Sequence, residues 1–236
     1  MSKLNWLLTL SSLNVILVTI ERFSFTTQIL LPPDNFLRLH EVFQIATLIL
    51  FTVILPALYL KELTKNFELL KKRKGAILLL VFIAGVYFYA TGNGIHELGS
   101  FFFNQYCPTQ NFSSIQCKGM FINDYYFGNG LYFFGAALLV IPLLMFERIS
   151  GTDKVSKKDK IILIVNSIFY SLTIFAYAAF DRVEVGLIYS LVMMVVTLGF
   201  FIKIRKKMWN YPFITYSTIA YTLGGLFSLI VRLIRT

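Results

Sequence analysis

Only two histidines occur in this chain, and each stands beside a glutamate: His40-Glu41 and His96-Glu97. His96 lies in the stretch TGNGIHELGSFFFNQ, which closes a strongly apolar segment, and Asp124 opens the next such segment. His40, His96 and Asp124 are the residue types of a catalytic zinc site, in which three protein ligands leave a position for water. Water bound there becomes a nucleophile near neutral pH. Glu97 or Asp124 would then be the general base. No HExxH or similar local motif supports the set. A histidine within a membrane segment also has a structural use, hydrogen-bonding a neighbouring helix.

The same residues suit a second kind of chemistry. Glu41, Gln44, Asn93, Asn129, Tyr177 and Asp181 fall at the same end of the apolar segments as the histidines. Tyr89, Asn93, His96 and Ser100 share one helical face, as do Asn166, Tyr170, Thr173, Tyr177 and Asp181. Ionisable groups in a membrane span are costly and face a cavity or a partner. These residues would therefore line an outward pocket for a small polar or cationic ligand. The competing reading is a belt of charges facing lipid headgroups.

The elements that must position these groups are membrane helices. The chain has 236 residues, 57% hydrophobic and 14% charged, with a mean hydropathy of +0.70. A soluble domain carries about 25% charged residues. The apolar excess falls in seven long runs, at about residues 5–20, 36–63, 75–103, 125–146, 161–180, 184–202 and 211–233. The fold class expected is all-α: a single polytopic domain of seven transmembrane helices. The first run lacks the cationic start and cleavage site of a signal peptide and reads as a retained span. Asp34 or Asn35 is placed to cap the second helix, and Pro56 should kink it.

Orientation follows from the basic residues. Sixteen of the 22 Lys and Arg lie in three loops, 61–74, 148–160 and 203–207, or at Lys3. That excess marks the cytoplasmic side, so the N-terminus is expected inside and the C-terminus outside, in a plasma or inner membrane. The net charge of +10 is explained by the loops, which also suit membrane lipids as partners. No basic face interleaved with aromatics points to nucleic acid. No Walker loop indicates a nucleotide. The last span has no lysine to hold retinal.

Cys107 and Cys117 share an outer loop and are expected to form a disulfide. Asn111-Phe112-Ser113 in that loop is a glycosylation sequon. Gly92-Asn93-Gly94 and Gly128-Asn129-Gly130 fall at one depth on consecutive helices and read as packing motifs.

Gly92, Asn93, His96 and Asp124, set in seven spans, resemble the CREST-type seven-helix membrane hydrolases, which include alkaline ceramidases and the progestin/adiponectin receptor family. The resemblance implies zinc-dependent hydrolysis of a lipid-like substrate. The chain departs from that pattern in two places. Gly92 stands where the family has serine, and the last span carries Ser217 and Tyr221 in place of a histidine pair. Three functions are thus in view: a metal-dependent hydrolase, a transporter or receptor-like binding protein, and a structural or assembly protein.

Overall fold

The structure, a computed structural model, describes residues 2–21, 23–35, 37–107, 114–151 and 155–235. The sequon at 111–113 lies outside the described residues. Seven helices account for nearly all of these residues: α1 (Lys3–Glu21), α2 (Leu39–Leu63), α3 (Arg73–Tyr106), α4 (Ile115–Ser150), α5 (Lys157–Phe180), α6 (Val185–Ile204) and α7 (Pro212–Arg235). Helices α2 to α7 are long and apolar enough to cross a membrane, and α1 is a shorter apolar helix. The chain is a helical membrane bundle. Large apolar side chains such as Leu80, Val195 and Ile234 stand exposed on its outside, where lipid rather than water would cover them.

Two helices carry a wide turn. In α2 the stretch Leu50–Ile54 is a π turn, and the Leu55 N–H bonds to Leu50 O, five residues back. Proline has no N–H to offer the preceding turn, and Pro56 follows directly. The expected kink is therefore taken up as an inserted residue. In α4 the stretch Ile122–Gly128 is a second π turn, with the Asn129 N–H bonded to Asp124 O. Helix α2 begins at Leu39 rather than near residue 36. Its cap is Arg38, whose backbone N–H donates to Glu41 Oε2 at 3.1 Å.

Helix α3 packs most extensively on α4, and the reason is legible in glycines. Gly85, Gly92 and Gly99 recur every seven residues on α3, as do Gly128 and Gly135 on α4. A seven-residue repeat keeps one face towards a partner helix. A Cβ on Gly85 would lie 2.8 Å from Leu138 C, and one on Gly92 would overlap the Tyr132 backbone nitrogen. Only glycine admits this approach.

The apolar core sits at the basic-loop end, where Leu8, Leu63, Leu144, Phe146, Leu163 and Ile214 are almost wholly buried. Two buried carboxylates fasten that end. Glu147 of α4 accepts from Phe213 N at 2.8 Å and Ile214 N at 2.7 Å. It thereby serves the free donors of the first turn of α7. Asp159 at the start of α5 accepts from Asn5 Nδ2 at 3.0 Å and from Ser156 Oγ at 2.8 Å.

Candidate functional site

Helix direction brings the titratable groups singled out above to the opposite end, but into two assemblies. In the first, His96 Nδ1 lies 2.6 Å from Asp124 Oδ1, and the Asp124 side chain is fully buried. Two glycines make room for the pair. A Cβ on Gly128 would lie 2.9 Å from His96 N, and one on Gly99 would lie 3.2 Å from Asp124 Cα. The first glycine of each Gly-Asn-Gly therefore packs against the facing helix, while Gly94 and Gly130 meet nothing within 4 Å. Asn129 Nδ2 donates to Asp181 Oδ2 at 3.2 Å, which ties the end of α5 to α4. Burial raises the Asp181 carboxyl above the ordinary aspartate range, against an opposing pull from the Arg182 N–H and His96. Arg232 of α7 donates to the carbonyls of Ala178, Asp181 and Val183 at 3.1, 2.6 and 3.1 Å. A cation there neutralises the negative end of α5. Asn93 and Glu97 are both buried nearby on α3.

The second assembly joins α1 to α2. Glu21 of α1 accepts from Thr26 Oγ1 at 2.5 Å and from Gln44 Nε2, and lies 2.9 Å from His40 Nδ1. Glu41 is turned back onto Arg38 of its own helix. Both His-Glu neighbours of the sequence are thus separated, as adjacent positions on a helix must be. His40 takes Glu21 and His96 takes Asp124.

Among the described residues no group of three His, Cys, Asp or Glu side chains is placed to hold a metal ion. His40 therefore does not join His96 and Asp124, and the pair lacks the third ligand that zinc takes from protein. The residues as placed do not fit the metal. Cys107 and Cys117 form a disulfide, with Cα atoms 5.5 Å apart, that links the end of α3 to the start of α4.

A feature not singled out from the sequence lies between the helices. A cavity of about 110 Å³ is lined by six tyrosines, Tyr59, Tyr89, Tyr170, Tyr189, Tyr216 and Tyr221, carried on five helices. Ser11 of α1 and Ser217 of α7 add two hydroxyls, and Leu55, Ala136, Leu139 and Phe213 are among the apolar groups. Among the described residues no charged side chain lines it. The hydroxyls pair at its edges: Ser11 with Tyr59 at 2.9 Å, Tyr89 with Tyr132 at 2.9 Å, and Tyr189 with Tyr221 at 2.6 Å. Tyr177 stands beside this group, its ring 5.0 Å from that of Phe133, which stacks on Tyr189 at 4.8 Å. The signal available in the sequence was the two helical stripes holding Tyr89 and Tyr170. Tyr59, Tyr189, Tyr216 and Tyr221 lie outside those stripes, and only helix packing brings the six together.

Compared with known proteins, the chain matches no protein-family model, and no curated protein or solved structure proves similar to it.

Proposed function

We propose that this chain is a transporter or receptor-like membrane protein that binds a small, uncharged, weakly polar ligand inside the bundle. All seven helices cross the bilayer, with the N-terminus in the cytoplasm and the C-terminus outside. The disulfide supports that orientation, because it sits at the end opposite the basic loops, where an oxidising compartment would lie. The observation that carries the ligand reading is the convergence of tyrosines from five helices on one cavity. Tyrosine offers a large apolar ring and one hydroxyl. Six of them make a lining that hydrogen-bonds an oxygen but offers no counter-ion. Inside a membrane a bare charge is costly without a partner, so the lining favours a neutral ligand over the cation considered from the outer carboxylates. An engineered apolar cavity of about 150 Å³ takes benzene, which sets the scale of the group held. The His96–Asp124 and Glu21–His40 assemblies hold the outer ends of the helices around the cavity.

The reading is tested with a diazirine-bearing benzyl alcohol, photolysed with the protein in lipid nanodiscs and mapped by peptide mass spectrometry. Labelling of the cavity tyrosines should be suppressed by excess unlabelled benzyl alcohol and lost in Ala136→Phe, whose ring occupies the cavity. Labelling that is not competed, or that persists in Ala136→Phe, would show that the cavity binds nothing of this class.

A further inference from the structure

The contact between α1 and α5 is closed over one half of its length and open over the other. In the inner half, Asn5 Nδ2 donates to Asp159 O at 2.9 Å, and Asn166 Nδ2 donates to Thr9 Oγ1 at 3.0 Å. Beyond Thr9 and Asn166 the helices part around a groove of about 260 Å³, lined by Val15, Ile16 and Ile20 on one side and Phe169, Leu172 and Ala176 on the other. The Ser12 hydroxyl also faces this groove, buried and without a hydrogen-bond partner. At the outer end α1 turns away to α2, where Glu21 meets His40 and Gln44. Tyr170 forms part of the wall of the groove and part of the wall of the tyrosine cavity. Tyr170 is thus the side chain that the two spaces share.

We infer that the α1–α5 groove is a lateral opening from the bilayer into the tyrosine cavity, and that the ligand is a neutral, bilayer-dissolved molecule with one small oxygen-bearing end and an apolar tail. This rests on the ligand reading given above and names its class and route. The oxygen-bearing end takes the cavity, whose hydroxyls can satisfy it, and the tail lies in the groove, whose lining is apolar. A phospholipid does not fit this arrangement, because its charged headgroup would have to leave the interface for a cavity lined, among the described residues, by no charged side chain. A prenol or quinone-like molecule does fit, since its polar end is light enough to dissolve in the hydrocarbon. The cost of withdrawing one hydroxyl or carbonyl from water is met when it finds a hydrogen-bond partner. Tyr170, which touches both spaces, is the residue that has to move for entry.

The test uses two probes on the full chain in lipid nanodiscs: a diazirine-bearing farnesol analogue and the diazirine-bearing benzyl alcohol. The farnesol probe should label α1 and α5 around Ile16 and Leu172 at least tenfold more than Val192 and Val195, which face outward on α6. Excess farnesol should compete that labelling away. Ala176→Trp fills the groove from an exposed position outside the cavity and should abolish groove labelling by farnesol. Cavity labelling of that variant by the benzyl alcohol probe, run to saturation, should persist. Ile16→Trp, from the opposite wall, should do the same and guards against misfolding of either variant. Groove labelling equal to that of Val192 and Val195, or unaffected by both tryptophans, would overturn the lateral opening. If the short probe still labels the tyrosines competitively, the opening alone fails; if neither probe does, the ligand reading fails with it.

Discussion

Replacing Glu147 with alanine should unfasten α7 and with it much of the cavity. The side chain is fully buried, and its two oxygens accept from the backbone N–H groups of Phe213 and Ile214, themselves buried. The first-turn N–H groups of a helix have no acceptor within the helix itself. Their removal from water without a partner costs about 1–3 kcal/mol each, so Glu147→Ala should lose about 2–6 kcal/mol from that source. Glu147→Gln keeps one acceptor and should lose about half as much. The assay is unfolding in mixed micelles by added denaturing detergent, followed by tryptophan fluorescence. Trp209 is a local reporter, three residues before Pro212 and 4.9 Å from Lys160 Nζ. Phe213, Tyr216, Ser217 and Tyr221 all line the cavity from α7, so the alanine variant should also lose benzyl alcohol labelling. A loss below about 1 kcal/mol, or equal losses for alanine and glutamine, would refute the capping argument.

Three other outcomes are expected. Gly92→Leu should drive α3 and α4 apart, since even a Cβ there overlaps the Tyr132 backbone; the expected loss is about 1–3 kcal/mol, read in the same unfolding assay, whereas Gly94→Leu, at a glycine with open space, should be near neutral. His96→Ala leaves the buried Asp124 carboxylate alone and should cost about 3–5 kcal/mol. Adding Asp124→Asn to that variant should recover part of the loss, and a double-mutant cycle measures the coupling. Asp181 holds its proton more tightly in the folded chain than in the unfolded one, because burial raises its pKa. Its contribution to stability is therefore complete below the unfolded value and is lost as pH rises through the folded value. Asp181→Asn should flatten that decline, as seen by comparing unfolding at acidic and at mildly alkaline pH; an unchanged slope would exclude Asp181 as its source.

What the sequence by itself determined was the set of helices and the sorting of charge between their ends. Long apolar runs admit only one economical backbone in a membrane, the helix, so α2 to α7 fall where the runs fall. Antiparallel succession then places His96, Asp124 and Asp181 at one end without further information. The disulfide was readable for the same reason, since ten residues separate its cysteines along one connector. What only the tertiary structure decided is which side chain meets which. Rotation of α3 against α4 is set by the glycine repeat and by the π turn that carries Asp124, and neither has a signature in hydropathy. Those contacts gave His96 to Asp124 and His40 to Glu21, where residue types alone left open both a shared metal and hydrogen bonds between helices. The tyrosine cavity was hidden for a further reason. Its tyrosines come from five helices, spread between Tyr59 and Tyr221, and no local motif links them. Their convergence exists only in the packing.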